Sequence, residues 1–74
     1  MQQLELHVEG VDIIVTMPGT KYTVTYYKPD RSPQLYARLI TAKDDSRATV
    51  NLSQFLAAAW RAANAKAREL GWFV

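Results

Sequence analysis

Leu4-Glu5-Leu6-His7-Val8-Glu9-Gly10-Val11-Asp12-Ile13-Ile14-Val15-Thr16-Met17 decides the fold. Apolar residues alternate with polar ones at Leu4, Leu6 and Val8, and again at Val11, Ile13, Val15 and Met17. Side chains of a strand point to opposite faces in turn, so each run is a strand with one apolar face. A two-residue link at Glu9-Gly10 supplies a glycine where a tight turn needs a positive φ. It would set Val8 opposite Val11, Leu6 opposite Ile13 and Leu4 opposite Val15. Cross-strand partners share a face, so the two runs present one apolar surface.

Tyr22, Val24 and Tyr26 continue the pattern beyond Pro18-Gly19-Thr20. A two-residue link at Pro18-Gly19 or a four-residue link through Lys21 keeps Val15 and Val24 on one face. Lys28-Pro29-Asp30-Arg31-Ser32-Pro33 is a loop, because its prolines lack donors and bar helix. Residues 34–41 read as a fourth strand. Setting Tyr26 opposite Leu35, Val24 opposite Ala37 and Tyr22 opposite Leu39 extends the apolar face, whereas a one-residue slip would bury Arg38. Lys43-Asp44-Asp45-Ser46-Arg47 is a polar connection.

Asn51-Leu52-Ser53-Gln54 then fits a capping box, with Ser53 the rival cap. At 100° per residue Leu52, Phe55, Leu56, Ala59, Ala63 and Leu70 form one stripe, opposite Gln54, Arg61, Ala65 and Arg68. Lys66 lies at the margin of the stripe, where it can snorkel. Gly71 suits a left-handed cap, which lets Trp72 fold back on the last turn. The expected architecture is α+β, a four-stranded antiparallel meander with one face covered by a C-terminal helix. Strands fall at about residues 4–8, 11–17, 21–27 and 34–41, and the helix at about 52–70, in a single domain.

Composition narrows function by exclusion. The 74 residues contain no cysteine, which removes disulfides and thiolate metal sites. Net charge is +2, too small a surplus to indicate a nucleic-acid partner. The N-terminus lacks the basic start and apolar run of a signal peptide, and no segment is long and apolar enough to span a bilayer. The expected location is the cytoplasm.

His7, the one histidine, faces away from the core, and no nearby sequence supplies an orienting acid or a nucleophile. Asp44-Asp45 lacks metal-ligand spacing, and Pro18-Gly19-Thr20-Lys21 lacks the Walker pattern of a phosphate loop. No cofactor is expected, and the chain does not read as an enzyme. The uncovered sheet face is more informative, with Ile14, Tyr27, Tyr36, Arg38 and Ile40 exposed to water. Exposed Ile and Tyr mark protein interfaces. Aromatic rings with Arg on a sheet also serve single-stranded nucleic-acid binding, which makes Tyr27, Tyr36 and Arg38 the alternative site. Arg61 and Arg68, with Ala57, Ala58 and Ala65 around them, form a second candidate surface on the helix. Trp60 and Trp72 read as packing at the edge of the core. The expectation is a small interaction module with an unknown protein partner or a second copy of itself.

Residues 55–72 carry the pattern Phe-Leu-x-x-Ala-Trp-x-x-Ala-Asn-x-Lys-Ala-Arg-Glu-Leu-Gly-Trp. It resembles the C-terminal helix of a group of short bacterial proteins to which no activity is assigned. The resemblance implies a bacterial source and transfers no site residues. The order of the later strands and the helix is also similar to the latter part of double-stranded RNA-binding domains. Their basic helix start is absent at Asn51-Leu52-Ser53-Gln54.

Overall fold

The computed structural model describes residues 4–40 and 46–73. Four strands, β1 (Glu5–Glu9), β2 (Asp12–Thr16), β3 (Thr23–Tyr27) and β4 (Tyr36–Ile40), precede one helix, α1 (Leu52–Glu69). The strands pair antiparallel in the order β1-β2-β3-β4, giving the ββββα arrangement expected from the patterning. The end of the expected fourth strand at residue 41, and Asp44-Asp45, lie outside the described residues.

The first hairpin keeps the expected parity but not the expected register. Val8 faces Ile13, Leu6 faces Val15, and Glu9 and Asp12 flank a Gly10-Val11 turn. Gly10 has φ +60° and Val11 is not left-handed, which is the type II′ pattern with glycine first. That requirement moves the link one residue along and slides the pairing by two. A slide of two leaves every side chain on its face. Val11 alone changes role: it sits at the turn and is 66% exposed, not in the apolar layer.

The second link is the four-residue one. Thr20 N–H donates to the Met17 carbonyl at 3.2 Å across Pro18 and Gly19, and Met17 N–H donates to Tyr22 O at 3.2 Å. Gly19 takes φ +80° at the third turn position, as a type II turn with Pro second requires. The Thr20 hydroxyl bridges the link, donating to Met17 O and accepting from Tyr22 N–H. Val15 and Val24 then face each other.

The fourth strand departs from its expected register. Tyr27 faces Tyr36 and Tyr26 faces Ala37, but Thr25 then faces Leu39 and Val24 faces Ile40. One extra residue, Arg38, is accommodated as a bulge. Leu35 therefore precedes the ladder and is buried as a loop residue. Beyond the bulge the two faces of the strand are exchanged. Leu39 turns to the uncovered face beside Thr25, and Ile40 joins Val24 on the helix side, a correction to the expected face of each.

The helix starts as its sequence dictates. Gln54 N–H donates to Asn51 Oδ1 at 2.8 Å, and Asn51 N–H donates to Gln54 Oε1 at 2.9 Å. It ends in a Schellman motif: Trp72 N–H reaches Ala67 O at 2.9 Å and Gly71 N–H reaches Arg68 O at 3.1 Å, with Gly71 at φ +77°. The buried line is Phe55, Ala59, Ala63 and Ala67, every fourth residue. Ala67 thus joins the stripe, and Leu70 leaves it as an exposed cap residue. Small side chains let α1 lie close over β2 and β3, where Phe55 stacks on Tyr22 at 5.2 Å between ring centroids. Trp60 meets the edge of Tyr26 at 5.6 Å, and Trp72 packs half-buried against the core.

Candidate interaction surface

The sheet face opposite α1 is built in rows. Its middle row runs His7, Ile14, Thr25, Leu39, and its end row runs Glu9, Asp12, Tyr27, Tyr36. A third row pairs Glu5 with Thr16 and Thr16 with Thr23, whose hydroxyls lie 3.4 Å apart. Thr25 is buried although no element covers it, because Ile14 and Leu39 flank it in its row.

Arg38 draws the end row together. The bulge leaves its guanidinium over the Tyr27 ring, 4.4 Å from the centroid, while Tyr27 and Tyr36 lie 6.2 Å apart and tilted. Its Nη1 lies 3.3 Å from Asp12 Oδ1 and donates to Oδ2 at 3.4 Å. Asp12 Oδ1 is buried and accepts no hydrogen bond among the described residues, so the guanidinium charge compensates it. The pair spans β2 to β4 across β3. It ties the edge strand to the interior of the sheet.

Of the expected surface residues, Ile14, Tyr27, Tyr36 and Arg38 come together on this face. Ile40 does not, and Leu39 stands in its place. Arg61 and Arg68 are exposed on α1, which covers the other side of the sheet, so they form no common site with Tyr27 and Arg38. His7 has a partner that sequence reasoning missed, since Glu9 Oε2 lies 3.6 Å from its Nε2. The signal for it is local, because residues two apart on a strand share a face. Both side chains are about three-quarters exposed, so the pair is weak.

Exposure is concentrated on β4. All five of its residues are exposed, with Tyr36 at 43%, Leu39 at 65% and Ile40 at 48%. The two sheet edges differ in kind. β1 carries Glu5 and Glu9 outward on either side of His7, and the two carboxylates discourage strand addition. β4 carries one charge, Arg38, and that is drawn inward onto Tyr27 and Asp12.

No protein-family model matches this chain, and no curated protein or solved structure matches it either. Among the described residues no helix is long and apolar enough to cross a membrane, and no group of three His, Cys, Asp or Glu could hold a metal ion.

Proposed function

We propose that the protein is a small, non-enzymatic cytoplasmic interaction module that self-associates by antiparallel pairing of β4 with β4 of a second copy. The observation that carries this reading is the exposed, apolar, weakly charged edge strand Tyr36–Ile40. An edge strand presents unpaired N–H and C=O groups along its outer side, and charge is the usual guard against pairing. β1 has that guard and β4 does not. Antiparallel pairing about a twofold axis is isologous and closes after two copies. It would bury Leu39 and Ile40, each worth about 1.5–3 kcal/mol when fully covered.

The non-enzymatic part of the reading is supported by the site chemistry. His7 and Glu9 are open to water, and the Arg38–Asp12 pair is engaged in holding the sheet together. The alternative of single-stranded nucleic-acid binding through Tyr27, Tyr36 and Arg38 gains less from the geometry. Arg38 occupies a face of Tyr27, and Glu5, Glu9 and Asp12 place three carboxylates on the same surface. Phosphates are repelled by such a face.

Sedimentation equilibrium over micromolar to submillimolar concentrations tests the proposal. A dimer is expected, and Leu39→Lys is expected to leave a folded monomer. A wild-type chain that stays monomeric throughout that range would sink the reading. Titration with labelled oligonucleotide at low salt decides the alternative, for which Tyr36→Ala should then weaken binding.

A further inference from the structure

Two adjoining hollows open at the end of the sheet where the chain's turns and its C-terminal segment meet. One, of about 270 Å³, is lined by Gly10, Val11, Lys28 and Trp72. The other, of about 300 Å³, is lined by Lys28, Arg31, Ser32, Pro33, Trp72 and Phe73. Lys28 and Trp72 belong to both, so together they make one cleft with an aromatic wall and a cationic rim.

Among the described residues, the charge that lines this cleft has one sign. Lys28 and Arg31 line it, and neither side chain makes an ion pair among the described residues. The acids nearest in sequence are Glu9, Asp12 and Asp30. Glu9 is turned to His7 and Asp12 to Arg38 on the open sheet face. Asp30 is exposed and does not line either hollow. Two unpaired cations beside apolar surface favour a ligand that brings its own negative charge.

The backbone at Arg31 adds an independent observation. Arg31 has φ +67°, the one left-handed residue other than glycine among the described residues. An L-residue is strained there, and such outliers cluster where a ligand or switch needs them. The turn is closed by Ser32 N–H donating to Pro29 O at 3.1 Å, so Pro29 and Ser32 hold Arg31 at the lip of the cleft. On the opposite wall, the Schellman cap at Gly71 returns Trp72 and Phe73 toward the sheet. Both walls are therefore fixed by main-chain hydrogen bonds.

We infer that this cleft binds a small organic anion with a flat apolar body, an aromatic carboxylate being the simplest case, with Lys28 and Arg31 holding the carboxylate and Trp72 and Phe73 the ring. Each hollow lies at or below the lower end of the range for ligand pockets, which suits a one- or two-ring compound. The site is separate from β4, so it stands or falls independently of self-association.

The probe is 2-naphthoate, with 2-naphthamide as its neutral counterpart and inorganic phosphate as the anion without a ring. Titration is followed by amide chemical shifts on the full chain. Naphthoate is expected to shift Gly10, Val11, Ser32 and Trp72 saturably at millimolar concentration or below. Naphthamide should bind at least about tenfold more weakly, the loss expected for a charge-assisted contact. Phosphate should neither shift these amides at comparable concentration nor compete.

Lys28→Ala combined with Arg31→Asn should abolish the naphthoate response. Asn tolerates the left-handed position, so this variant keeps the turn, and an unchanged far-ultraviolet spectrum verifies its fold. Equal binding of naphthoate and naphthamide would overturn the inference, as would unaltered binding by the double variant. Competition by phosphate at equal strength would overturn the role of the aromatic wall. Shifts confined to other surfaces, or none, would remove the site.

Discussion

The two core tyrosines show how one residue type serves two purposes. Tyr22 and Tyr26 are both buried by the same alternation. The Tyr22 hydroxyl reaches the connection ahead of α1, where it donates to Val50 O at 2.9 Å, across 28 residues of chain. Replacing Tyr22 with Phe keeps the Phe55 stack and removes that hydrogen bond. Chemical denaturation should show a loss of about 1 kcal/mol. For Tyr26, burial pushes the phenol pKa up from its ordinary value of 10.0. A raised folded-state pKa means the native protein holds its proton at a pH where the unfolded chain releases it. Stability is therefore intact below about pH 10 and falls as pH rises through the folded value. Tyr26→Phe should flatten part of that decline in denaturation midpoints measured from pH 8 to 11. Alternation is enough to bury these rings. It cannot foresee the Val50 contact, because no local pattern encodes a partner so distant in sequence.

Elements are legible to the extent that their signals are local. Asn51 and Gln54 form their reciprocal cap from a four-residue motif, and Gly71 takes the left-handed position its neighbours demand. Each is testable by single substitution. Asn51→Ala should cost about 1 kcal/mol through the lost acceptor for the Gln54 amide. Gly71→Ala should cost about as much by a different route: nothing lies within 4 Å of the position a Cβ would take, so the penalty is purely that of φ +77°. Thermal unfolding should therefore fall by about 4–8 °C in either variant. Strand register is less legible. In the first hairpin, parity allows any even shift, and the preference of a type II′ turn for glycine in first place chooses among them. In β4 the alternation holds only for an unbroken ladder, and nothing in Leu35-Tyr36-Ala37-Arg38-Leu39-Ile40 marks a bulge. The consequences of that bulge, the Arg38 stack on Tyr27 and the bridge to Asp12, depend on strands remote in sequence. That is why alternation alone puts Ile40 on the wrong face and passes over Leu39, the most exposed large apolar residue of β4.

At the scale of the whole molecule, the core is thin. Ala59, Ala63 and Ala67 are fully buried against the sheet, so the helix is held at a distance set by methyl groups, and Phe55 supplies most of its bulk. A closely seated helix cannot accept a larger side chain without lifting. Ala63→Leu should overpack this contact and destabilise by about 1–3 kcal/mol in urea unfolding, although it raises the hydrophobicity of the stripe. The close seat over β2 and β3 is also what leaves β4 exposed, for a helix of this width cannot cover all four strands. A domain of 74 residues is marginal by its size alone, so covering that edge with a second copy would add stability where it is most needed. Association that favours the folded state makes unfolding depend on concentration. If β4 pairs as proposed and unfolding is coupled to dissociation, each tenfold increase in protein should raise the melting midpoint by about 3–5 °C. Leu39→Lys should remove that dependence and leave the midpoint near the dilute wild-type value. A wild-type midpoint that stays constant from micromolar to submillimolar protein would show that the native chain is stable without a partner on β4.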